Sequence, residues 1–137
     1  MLAPTIRIQI QNATGVATGA SDTITVTGKF TQITTATGVM AANTQTTPIP
    51  STAGNSLASG AVYNSATIDT TTGGTTLFLE GHFLITAVLS VAASGNINVF
   101  LQESPDGGTT WPANGVGQLI GVAAFTSAAT VTALVEM

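Results

Sequence analysis

Charge is what this sequence has least of: Lys, Arg, Asp and Glu make up 6% of its 137 residues, against about 25% in ordinary soluble proteins. The net charge of −4 is carried by Asp22, Asp69, Glu80, Glu103, Asp106 and Glu136 against Arg7 and Lys29. Two cations cannot supply the clustered basic face that nucleic acids and anionic bilayers require, so neither nucleic acid nor membrane is an expected partner. Cysteine is absent, which removes disulfides and thiolate chemistry and leaves the redox compartment open. The first residues, Met1 to Arg7, lack a basic segment followed by an apolar one, so no secretory signal is expected there. No long hydrophobic run is present either. The most apolar stretch, residues 77–93, is interrupted by Glu80, Gly81 and His82, which makes it core rather than a bilayer span.

What remains is a chain of mean hydropathy +0.45 whose polar residues are Thr, Ser, Asn, Gln and Gly. A nearly uncharged surface protects weakly against self-association, a liability for a free monomer and tolerable for a subunit of a symmetric assembly. The length suits one domain with one core.

Alternation dominates the pattern. Ile6, Ile8 and Ile10 fall on one side of a two-residue period, with Arg7, Gln9 and Gln11 on the solvent side. This predicts a half-buried strand that also suits an N-terminal arm within residues 1–12. Ile24 and Val26 oppose Thr23, Thr25 and Thr27 in a second strand that can continue through Phe30 and Ile33. Residues 34–60 hold no sustained period and include Pro48 and Pro50, which predicts a long loop or arm, either hiding a short strand near residues 38–42 or ordered by a neighbour. Strands are expected at 61–69, at 77–93, where helix and strand compete because a continuous apolar run carries no decisive period and where Leu, Ile, Val and Phe with Gly81 favour a buried strand, at 96–104 with Ile97, Val99 and Leu101 inward, at 116–125 and at 130–137. Gly-rich turns separate them, at 70–75 for instance. No helix is capped or periodic. The expected fold is therefore all-β, an antiparallel β-sandwich, jelly roll or small barrel of about seven or eight strands forming a single domain.

Catalytic chemistry is poorly supplied. The single histidine, His82, lies in the most apolar stretch and reads as a core or edge residue rather than a general base. No Gly-x-Ser-x-Gly elbow occurs. Glu80 and Glu103, on neighbouring predicted strands, are the one carboxylate pair worth naming for glycoside hydrolysis, and solvated strand ends explain them equally well. No Cys/His set or Asp-rich loop has metal-ligand spacing, so no catalytic residue, metal or cofactor is expected. Asn12-Ala13-Thr14 matches a glycosylation sequon, a pattern that chance supplies in a Thr-rich chain.

One stretch is specific. Ser104-Pro105-Asp106-Gly107-Gly108-Thr109-Thr110-Trp111 fits Ser-x-Asp-x-Gly-x-Thr-Trp at its fixed positions Ser104, Asp106, Gly108, Thr110 and Trp111. It resembles the Asp-box of sialidases and other β-propellers. The resemblance implies a structural hairpin: Asp106 accepts hydrogen bonds from turn amides, Gly107 and Gly108 supply positive φ, and Trp111 folds back over the turn. A propeller needs several copies and this chain has one, so no sialidase residue role carries over.

A broader resemblance spans residues 61–137. An apolar double strand, then Asn98-Val-Phe-Leu-Gln-Glu-Ser-Pro-Asp-Gly-Gly-Thr-Thr-Trp-Pro112, then two Gly- and Ala-rich strands, is similar to small virion proteins of tailed bacteriophages. That resemblance implies a jelly-roll or sandwich subunit without enzymatic activity that decorates a capsid or builds part of a tail. Its first form is a capsid decoration or cement subunit in the virion, bound to its own copies and to the major capsid protein. The alternatives are a tail, baseplate or fibre subunit, and, from another class, a carbohydrate-binding or adhesin module, for which Trp111, Tyr63 and five Phe make a thin aromatic supply.

Overall fold

The computed structural model describes residues 5–71, 76–90, 94–127 and 129–136. These form nine strands: β1 (Thr5–Ala13), β2 (Thr23–Thr34), β3 (Met40–Ile49), β4 (Val62–Asn64), β5 (Ile68–Asp69), β6 (Thr76–Leu89), β7 (Gly95–Glu103), β8 (Gln118–Phe125) and β9 (Ala129–Glu136). One short 3-10 turn, Ser51–Gly54, is the sole helical element among the described residues. The strands make two antiparallel sheets. The first runs β4-β1-β7-β8, with β5 continuing on the β4 side of β1, and the second runs β3-β2-β6-β9. Packed face to face, they are the β-sandwich that alternation predicts.

The core is the sum of one face from each strand. Ile6, Ile8 and Ile10 of β1 and Ile97, Val99 and Leu101 of β7 meet Ile24, Val26 and Phe30 of β2 and Phe83, Ile85 and Ala87 of β6. Phe30 organises the far end: it stacks on Phe78 at 4.8 Å between ring centroids and meets Phe83 edge-on at 5.5 Å. Its direct partner across the ladder is Gly81. A Cβ there would stand 2.8 Å from the Phe30 ring, so a glycine opposite the aromatic is what lets the ring lie flat across β6.

Four expectations require correction. Residues 34–60 are not one long loop: β3 begins within the stretch read as a possible hidden strand, runs on to Ile49 and pairs with β2, and the 3-10 turn tucks Ala53 and Gly54 against β2 as well. Local period failed there because the β2–β3 ladder shifts register twice. Residues 5–13 are not an arm, because β1 lies inside its sheet between β4 and β7. The expected strand at 61–69 is split: Ser65 Oγ accepts from Ile8 N at 2.9 Å, so a side chain stands where a ladder carbonyl would, and β4 and β5 fall on either side. Finally, β6 is buried on one face alone, for Leu84 and Val88 are exposed while Phe83, Ile85 and Ala87 are buried.

Truncating the organising aromatic should be costly. Phe30→Ala is expected to lose about 3–5 kcal/mol of stability in denaturant melts, through a cavity that Phe78 and Phe83 cannot jointly close. A loss below about 1 kcal/mol would show that the cluster is not structural.

Candidate functional site

The β7–β8 hairpin is closed by residues 104–117, and this connection lies back over the outer face of the first sheet. Its first part is the Asp-box-like segment. Asp106 Oδ1 accepts from Thr110 N at 2.7 Å, Thr109 N at 3.1 Å and Ser104 Oγ at 2.8 Å, and Ser104 Oγ in turn accepts from Gly108 N at 2.8 Å. Gly107 and Gly108 hold φ of 71° and 98°, the left-handed region in which a side chain is strained. Trp111 Nε1 donates to Gly108 O at 2.9 Å, closing the turn from its far end. Thus Ser104, Asp106, Gly108, Thr110 and Trp111 sit together in one hydrogen-bonded turn. Bonds from Thr110, foremost, and from Ser104 and Thr109 hold the Asp106 carboxyl at about 2, below its ordinary 3.8.

The second part anchors this turn to the sheet. The Arg7 guanidinium lies 4.5 Å from the Trp111 ring centroid, and Arg7 Nε donates to Gln102 Oε1 at 2.7 Å. Burial draws the Arg7 pKa down, and it remains a cation. Gln102 Nε2 donates to Ala113 O at 3.0 Å and to Val116 O at 2.5 Å. Gln9 Oε1 accepts from Gly115 N at 2.7 Å, while Gln9 Nε2 donates to Asn64 Oδ1 at 2.7 Å. Gln9 and Gln102 are both fully buried, although alternation puts them on the solvent side. The loop covers them, and their amides satisfy its backbone. Sequence reading missed this group of Arg7, Gln9 and Gln102. The available signal was the length of the 104–117 connection, which is too long for a tight hairpin and has to rest on something.

A cleft of about 330 Å³ opens where this loop leaves β7 and enters β8, lined by Leu101, Glu103, Pro112, Gly117 and Gln118. Glu103 is not joined there by Glu80, because the two carboxylates belong to opposite sheets and the pairing read from neighbouring predicted strands does not form. Glu80 instead accepts from Thr31 Oγ1 at 3.1 Å on the outside of the second sheet. His82 is exposed on the outer side of β6 rather than in the core. Asn12, the sequon residue, is buried, and its Nδ2 donates to Val16 O and Leu57 O, each at 2.8 Å, so the nitrogen a glycan would occupy is already engaged. Among the described residues no group of three or more His, Cys, Asp or Glu is placed to hold a metal ion. Of the aromatics raised for sugar stacking, Trp111 has Arg7 against its ring and Gly108 O on its N–H.

A second buried polar anchor ties the start of β2 to the end of β6 in the second sheet. Burial of Asp22 raises its pKa, but hydrogen bonds from Ser90 Oγ, Gly19 N and Ser90 N outweigh it, and the carboxyl titrates below its ordinary value.

No protein-family model, curated protein or solved structure matches the chain.

Two outcomes follow for the turn. Ser104→Ala leaves the Gly108 amide without its acceptor and should cost about 1–3 kcal/mol, read as a lower midpoint in thermal or urea melts. The acid response has a definite sign: a folded-state pKa of about 2 against 3.8 means that the Asp106 contribution is complete above the higher value and is lost as pH falls toward the lower. The melting temperature of Asp106→Asn should therefore fall less steeply than that of the parent across this window, and parallel curves would show that the carboxylate does not hold the turn.

Proposed function

We propose that the chain is a non-enzymatic virion structural protein, a capsid decoration or cement subunit that stabilises a phage head through contacts with its own copies and with the capsid protein. The observation that carries this reading is the outer face of the second sheet. Register places Thr23, Val88 and Thr130 in one row across β2, β6 and β9, and Thr25, Thr86 and Thr132 in the next, with Thr27 and Leu84 following. Charge enters in the next row, where Lys29 pairs with His82. The rows before it form a face of methyls and hydroxyls. Such a face suits a partner surface of similar character, joined by burial and hydroxyl hydrogen bonds rather than by ion pairs.

The Asp-box-like turn supports the same reading from the other sheet. It is a hydrogen-bonded cover, closed by the Asp106 carboxylate and anchored to the sheet by the Gln9 and Gln102 amides and one cation–π contact. A shell subunit needs a cover anchored in this way, because contacts repeated by symmetry strengthen a capsid only if each copy presents the same surface.

The test is to add purified chain to capsids that lack it, and to follow binding from about 50 mM to about 1 M salt. Binding that changes little across that range is the expected result, and Leu84→Lys, an exposed position on this face, should weaken it strongly. Absence of binding to any capsid would remove the assignment. Steep salt loss would remove the mechanism.

A further inference from the structure

The two flanks of the sandwich treat their sheet edges differently. On one flank the first sheet ends in β4 and β5, three and two residues long, and the second ends in β3, which carries Pro48 and two register shifts. Short strands, proline and bulges are the means by which an edge is kept from pairing with another chain. On the opposite flank the sheets end in β8 and β9, eight residues each and free of proline, with a single register shift, at Ile120 of β8, and these edges adjoin one another. Glu136 is the single charged residue in β9, and β8, Gln-Leu-Ile-Gly-Val-Ala-Ala-Phe, has none. Leu119 is 52% exposed, Val122 36%, and Val116 just before the strand 55%.

From this asymmetry we infer that β8 is a self-pairing edge, at which a second copy of this chain adds its own β8 in antiparallel register about a two-fold axis. A second copy is the occupant that the strand's charge pattern selects. With no charge along β8, every antiparallel register of one copy against another is free of like-charge pairs, and no lone charge asks for an opposite one on a foreign strand. A two-fold axis normal to the sheets carries each sheet into the plane of its own copy, so the adjoining β9 edges are brought toward each other as well. Leu119 and Val122 of both copies then cover one another on a common surface. The inference names the self-contact of the subunit proposed above, yet it stands on the edges alone and holds whether or not the capsid assignment does.

The experiment is sedimentation or light scattering of the full chain in solution across a concentration series, with Val122→Lys and Leu119→Lys as two independent variants and Val39→Lys, exposed at the β2–β3 end, as control. The expected result is a dimer for the parent and the control, and a dissociation constant raised by a factor of about ten or more in both β8 variants, with unchanged β-sheet circular dichroism. Hydrogen exchange on the parent should show β8 amides slowing as concentration rises. A parent that stays monomeric, or β8 variants that dimerise as the control does, would overturn the inference, and so would a monomeric parent whose β8 variants lose capsid binding, since that would make the edge's occupant a capsid strand.

Discussion

Two strand pairs, β1 with β7 and β2 with β6, form the frame on which everything else is hung. Each pair is central to its sheet, and the chain passes from one sheet to the other five times, between β1 and β2, β3 and β4, β5 and β6, β6 and β7, and β8 and β9. The sheets are thereby tied together by the chain on both sides of the core, as well as by the apolar side chains between them. The requirement on sequence is strict: each of the four strands must keep its apolar residues in phase, because a slip of one residue would turn Ile6, Ile8 and Ile10 outward together. Gly81 meets the same requirement in another way, by giving Phe30 room to lie in the core.

With charge so scarce, polar groups inside this frame are satisfied mainly by neutral side chains. Gln9 and Gln102 each offer an amide that donates and accepts: Gln9 spends it on Gly115 N and the Asn64 amide, and Gln102 donates to the backbone of residues 112–116 while accepting from Arg7 Nε. Asn12 does the same on the other side of β1, donating to two carbonyls while its oxygen accepts from Thr14 N and Oγ1. Thr18 Oγ1 accepts from Leu57 N and donates to Gly54 O. Such bonds contribute modestly when made and cost more when one partner is removed. They fix loops to sheets without the desolvation penalty that ion pairs would bring.

Legibility in the sequence followed the range of the interaction. Residues 96–104 and the first strand read correctly as strands because alternation is local, and the Asp-box-like segment was visible because its partners lie within a few residues of Asp106. The strand β3 was legible only as a possible short strand near residues 38–42, since nothing in its own Thr- and Ala-rich sequence demands a longer one; β2 supplies the demand across the ladder. Likewise, Gln9 reads as solvent-facing from its neighbours and becomes buried through a loop more than a hundred residues away, from which Gly115 N donates to it. Of the candidate site, the turn was readable and its anchorage was not.

That anchorage bears on what the turn is for. An isolated Asp-box-like turn needs no partner outside itself, since Ser104, Asp106 and Trp111 close it. Here Arg7, one of two basic side chains in the whole molecule, is half-buried against the Trp111 ring instead of standing free in solvent. A chain with so few cations would gain solubility by exposing both. Spending one on the underside of a loop makes sense if what matters is that the loop, and the Val116–Val122 stretch it delivers into β8, keep a single shape. The cation therefore stabilises geometry at the sandwich's least guarded edge, where a fixed strand is the difference between ordered pairing and indiscriminate aggregation.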